Sequence, residues 1–211
     1  MNFNFQRKKV FVYIIALSIL TSCVDLKKVT QTLTNLKRLE FKLQDIDNFR
    51  LNNINISNKK SISDFSITDG MKLVQIFNSN KLPTEFILNI AAKNPNDGKG
   101  GSRKTTSTIS GLDWNLYIDN KLTVSGDMNK SIDIPGTGES TVIPLKIKLD
   151  LYEFFGDKGY NDVINLALAL GGVSGNTSRL KLDIKPTVST SIGQITYPGR
   201  ITVIDKEFRG N

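Results

Sequence analysis

From residue 38 onward, apolar and polar side chains alternate with a period of two, the mark of strands that bury one face. Four segments carry it clearly. In "GLDWNLYID" Leu112, Trp114, Leu116 and Ile118 share one face, and Asp113, Asn115, Tyr117 and Asp119 the other. "VIPLKIKLDL" sets Ile143, Leu145, Ile147, Leu149 and Leu151 against Pro144, Lys146, Lys148 and Asp150. "RLKLDIKP" opposes Leu180, Leu182 and Ile184 to Lys181, Asp183 and Lys185, and "EFILNIAAKN" groups Phe86, Leu88, Ile90 and Ala92. Weaker alternation predicts further strands near 38–46, 50–57, 62–68, 73–78, 122–126, 130–135 and 192–204.

Turn chemistry separates these runs. Asp119-Asn120-Lys121 predicts a tight hairpin, because Asn tolerates positive φ. "PGTGES" at 135–140 and "YPG" at 197–199 are further breaks. Many short strands with polar outer faces predict a mainly β, antiparallel β-sandwich. One segment departs: 151–172 is rich in Ala and Leu, with Asp162 near a helix start and Gly171-Gly172 as a stop. Val163, Leu166, Ala167 and Leu170 fit helical spacing, although Ile164, Leu166, Leu168 and Leu170 would equally fit a strand. The reading taken is a short helical crossover over one open end of the sandwich.

The N-terminus has a different pattern. Arg7, Lys8 and Lys9 precede an apolar run from Val10 to Leu20, then Thr21, Ser22 and the only cysteine, Cys23. A charged start, a short apolar middle and small residues form a secretory signal. Eleven helical residues reach roughly 16 Å, well short of a hydrocarbon core of about 30 Å. Leu20-Thr21-Ser22-Cys23 resembles the lipobox of bacterial lipoproteins, in which the cysteine thiol takes a diacylglycerol and becomes the first mature residue. An ordinary buried cysteine behind a signal anchor is the plainer alternative. Residues 1–22 are thus expected to be a signal peptide and 23–36 a lipidated tether or the first rim of the domain, with 37–211 as one sandwich. The expected location is the cell envelope, on the outer membrane facing the periplasm, with the bilayer engaged through acylated Cys23.

Residues 1–22 hold three of the 28 basic residues and none of the 20 acids, so the remaining 189 residues carry a net charge of +5. The basic residues are scattered and not interleaved with aromatics, which argues against nucleic acid as a partner. Histidine is absent, removing the usual general base and the commonest nitrogen ligand for metals. With Cys23 lipidated, no disulfide can form within the mature chain, so stability rests on an apolar core.

Three stretches together resemble the late-embryogenesis-abundant type 2 family, which contains the water-stress and hypersensitive-response (WHy) domain. They are "LPTEFILNIAAKNPN" (82–96), "LDWNLYIDNKLTVSG" (112–126) and "IDIPGTGESTVIPLKIKLDL" (132–151). Asn94-Pro95-Asn96, Tyr117 to Asn120, Gly126 and Ile134-Pro135 occupy the places of that family's motifs. The chain departs in a long insertion at 96–108 and in Asn120, where glycine is common. The resemblance implies an immunoglobulin-like sandwich with a short helix, and a stress-protective role without a catalytic centre.

Candidate chemistry is sparse. Asn94 and Asn96 could frame a recognition loop, or simply a turn, since Pro favours strand ends and Asn mimics turn hydrogen bonds. "DGKGGSRK" (97–104) could form an anion-binding nest with Lys99, Arg103 and Lys104, or a plain connecting loop. It lacks the spacing of a phosphate-binding P-loop. Single Asp residues in "NPNDG" and "GDKG" are too few for a calcium cage. The acids of Glu139-Ser140 and of Asp150 and Glu153 have no partner base. Tyr117, on the polar face of its strand, is the best sugar-facing aromatic, whereas Trp114 belongs to the core. No catalytic residue, metal site or cofactor is expected. The expectation is a non-enzymatic envelope lipoprotein that binds an envelope partner or protects other proteins under stress. The alternative is an accessory subunit that binds carbohydrate or another envelope polymer; a hydrolase ranks last.

Overall fold

A computed structural model describes residues 30–57, 59, 61–99, 104–171, 177–190 and 193–209. Among the described residues, ten strands form two antiparallel sheets, as the alternation predicts. The first sheet has the order β2-β1-β3-β7, with β1 (Glu40–Leu51), β2 (Ile54–Asn55), β3 (Pro83–Lys93) and β7 (Ser140–Asp150). In the second, β4 (Ser107–Ile118) and β8 (Thr177–Thr190) pair centrally. β5 (Lys121–Met128) and β6 (Ile132–Ile134) both line the free side of β4, while β9 (Gly193–Thr196) and β10 (Ile201–Arg209) line that of β8.

The four strong alternations place their apolar faces as expected. Phe86, Leu88, Ile90, Leu112, Leu116, Ile118, Ile143, Ile147, Leu180, Leu182 and Ile184 are each at most 1 % exposed and meet between the sheets. Each fully buried Leu, Ile or Phe contributes about 1.5–3 kcal/mol of burial free energy. Trp114 belongs to this core, and its ring lies over Gly126, its cross-strand partner. The turn between β4 and β5 has φ values of +49° at Asp119 and +64° at Asn120, the type I′ signature expected of Asp-Asn. An Asn-Asn pair, Asn52-Asn53, turns β1 into β2 in the same way.

The segment after β7 is helical. It runs through α3 (Leu151–Phe155), a 3-10 turn and α4 (Tyr160–Leu170), and carries the chain from the first sheet to the second. Val163, Ile164 and Leu166 to Leu170 are all buried, so α4 plugs the end of the sandwich rather than lying on it.

Two expected strands are absent. The stretches 62–68 and 73–78 instead form a 3-10 turn (Ile62–Asp64) and α2 (Ile67–Asn78). Ser66 caps α2 by accepting the Asp69 N–H at 3.0 Å. Leu73 is fully buried, with Ile76 and Phe77 half-buried three and four residues on, so one helical face meets the core. Phe77 packs edge-on against Tyr152 and Tyr160, at 4.9 and 5.5 Å between centroids, which docks α2 on α3 and α4.

The opposite end is closed differently. Residues 30–37 form a short helix, α1, whose Leu36 is 2 % exposed and joins the core beside Leu39. Two sheet-to-sheet connections, 94–106 and 135–139, cross at this end.

Candidate functional site

The residues singled out in Asn-Pro-Asn lie between those two connections, and neither asparagine faces solvent. Asn94 and Asn96 are both 0 % exposed. The Asn94 side-chain amide donates to the Thr105 carbonyl at 2.7 Å, the Ile134 carbonyl at 3.0 Å and Ser107 Oγ at 3.3 Å. Its Oδ1 accepts the backbone N–H of Asn96 at 3.1 Å and Asn96 Nδ2 at 2.8 Å. Asn94 therefore staples the start of β4 and the end of β6 to the end of β3. Gly136 fits beneath because it has no side chain: a Cβ there would stand 2.2 Å from the Asn96 carbonyl oxygen. Asn-Pro-Asn and Ile134-Pro135-Gly136, far apart in sequence, are two halves of one buried corner.

The basic loop 97–104 is described only at its two ends, 97–99 and 104. Its base is closed by the Thr105 N–H donating to the Asn96 carbonyl at 3.1 Å, and Asp97 Oδ1 accepts the Lys99 N–H at 2.9 Å. Lys99 and Lys104 are exposed; Arg103 lies outside the described residues, as do Leu20, Thr21, Ser22 and Cys23. Tyr117 is not part of this cluster. It sits ten residues along β4, roughly 33 Å away at about 3.3 Å per residue. Lys181 Nζ lies 5.0 Å from its ring centroid and pairs with Asp183 at 3.1 Å, so the tyrosine is half-buried under a cation. Of the expected binding set Asn94, Asn96, Lys99, Arg103, Lys104 and Tyr117, the described members fall into a structural staple, a surface loop and a remote covered ring.

Sequence reasoning missed a cleft beside the staple. It has a volume of about 380 Å³ and lies between α1 and the ends of β4 and β8. It is lined by the hydroxyl residues Thr32, Thr105, Thr106, Ser107, Ser189 and Thr190. Asn35 adds an amide, Leu36 and Val188 add aliphatic surface, and none of the described lining residues is charged. Thr105 Oγ1 and Asn96 Oδ1 are buried with no hydrogen-bond partner among the described residues. Most buried polar atoms are paired, so two orphans in one corner are unusual.

Elsewhere the acids serve structure. Asp150 Oδ1 accepts the N–H of Leu82 at 2.6 Å and of Tyr152 at 3.0 Å, capping α3 and tying it to the start of β3. Glu85, on the outer face of the first sheet, pairs with Lys148 at 2.6 Å and Lys146 at 4.0 Å. The hydrogen bond from Lys148 holds its carboxyl below the ordinary glutamate value. Burial raises the Tyr160 phenol. Among the described residues, no group of three or more His, Cys, Asp or Glu could hold a metal ion.

No family model matches the sequence, and no curated protein matches it. Among solved structures, a crystal structure of a protein from Archaeoglobus fulgidus aligns over 81 % of this chain and 98 % of its own, at 12 % identity and a TM-score of 0.37. A solution structure of a protein provisionally assigned as late-embryogenesis-abundant aligns over 94 % of this chain and 88 % of its own, at 16 % identity and a TM-score of 0.39. Both likenesses are distant.

Proposed function

We propose that this protein is a non-enzymatic lipoprotein of the cell envelope, anchored through acylated Cys23 on the outer membrane facing the periplasm. Its sandwich serves as a binding or stress-protective module. The observation that carries the reading is the order of the N-terminus: Arg7 to Lys9, the apolar run Val10 to Leu20, then Leu20-Thr21-Ser22-Cys23. The motif resemblance to the late-embryogenesis-abundant type 2 family supports protection over catalysis. So does the chain's lack of histidine.

A second reading, an accessory subunit that binds an envelope polymer, is favoured by the uncharged cleft. Two assays separate these claims. Native protein should fractionate with membranes, while Cys23→Ala should become soluble. The Cys23→Ala chain should slow the aggregation of a heated client enzyme at stoichiometric concentration. Equal membrane retention of both forms would sink the anchor, and unaltered client aggregation would sink the protective role.

A further inference from the structure

We propose that the cleft between α1 and the ends of β4 and β8 binds a neutral saccharide unit. This deepens the polymer-binding reading and depends on neither the acyl anchor nor client protection.

The walls decide the ligand class. Threonine and serine hydroxyls both donate and accept, so Thr32, Thr106 and Ser189 can match sugar hydroxyls in either sense. Asn35 adds an amide of the kind that orients polyols. Charged ligands are disfavoured: among the described residues no lysine, arginine, aspartate or glutamate lines the cleft, so an ion entering it would shed water with no opposite charge from these walls in return. A purely apolar ligand would leave the wall hydroxyls facing it unpaired. Leu36 and Val188 give the one apolar surface, suited to the C–H face of a pyranose ring. A volume of about 380 Å³ lies at the small end of ligand clefts, which run roughly 300–1,000 Å³, and suits a mono- or disaccharide unit.

Position adds to this. The three wall segments come from α1, the start of β4 next to the Asn94 staple and the end of β8, so the staple fixes one wall directly.

The test is a titration of the full chain in mild detergent with chitobiose and with glucose, read by backbone amide shifts. Saturable shifts confined to Thr32, Asn35, Thr106 and Ser189, with millimolar half-saturation for either sugar, are expected. Thr106 is exposed on the rim, so Thr106→Trp should fold and fill the opening, weakening binding at least tenfold. Ser189→Arg on the facing wall is the second variant should the first not fold. Shifts that fail to saturate, shifts spread over the surface, or binding unchanged in both variants would overturn the proposal. Binding of glucose 6-phosphate alone would also overturn it and move the site to the Lys99 and Lys104 loop. None of these outcomes bears on the anchor, because the titration reads no acyl chain.

Discussion

Replacing Asn94 by alanine should damage this fold more than replacing Asn96, although the two flank Pro95 symmetrically. In Asn94→Ala the Thr105 and Ile134 carbonyls lose their side-chain donor and the Asn96 N–H loses its acceptor, all within a shielded corner. A buried polar group left unpaired costs about 1–3 kcal/mol, so three such groups with partial relaxation amount to about 3–5 kcal/mol. That is a large part of the roughly 5–15 kcal/mol by which domains are stable. Asn96→Ala removes one good bond, to Asn94 Oδ1 at 2.8 Å, and one at the 3.5 Å limit, to the Asn35 carbonyl. It also removes an orphaned oxygen, so its cost should be about 1 kcal/mol. Urea unfolding read by circular dichroism separates the cases: with a slope near 2 kcal/mol per molar, Asn94→Ala should lower the midpoint by about 2 M and Asn96→Ala by about 0.5 M. Equal losses, or a loss below about 1 kcal/mol for Asn94→Ala, would refute the staple.

Two further outcomes follow from particular contacts. Gly126→Ala would place a Cβ 2.3 Å from Trp114 Cζ2, so the ring must move; a loss of about 1–3 kcal/mol and a changed tryptophan emission spectrum are expected. Glu85 should titrate below the ordinary value of 4.5 in the folded chain and return towards it in Lys148→Met, as followed by carboxyl shifts in NMR. Because the folded value is the lower one, the contribution of this pair is present at neutral pH and fades as the pH falls through that value. Its exposure and salt screening keep it small.

The sheets were legible because each strong strand buries one face, and a period of two then fixes which side chains point inward. Helix α2 was not: in Leu73-Val74-Gln75-Ile76-Phe77 the apolar positions satisfy both periods. The deciding signal was local, Ser66 followed three residues later by Asp69, the start of a capped helix. The Asn52-Asn53 hairpin carries an equally local signal, since asparagine readily takes positive φ, whereas alternation alone predicts one strand over 50–57. Tyr117 shows what alternation cannot give. It does lie on the polar face, yet the register between β4 and β8 sets it opposite Lys181, which covers it. Asp183 is outward by alternation but 8 % exposed, because Lys181 and Thr202 bond its carboxylate. The cleft left no trace along the chain, because its walls come from three remote segments.

The anchored-module account turns on Cys23, and intact-mass measurement of the protein purified from membranes addresses it most directly. The account predicts a chain starting at residue 23, heavier than residues 23–211 by a diacylglyceryl group and an acyl chain. A mass matching an unmodified thiol, or a chain that retains residues 1–22, would contradict it.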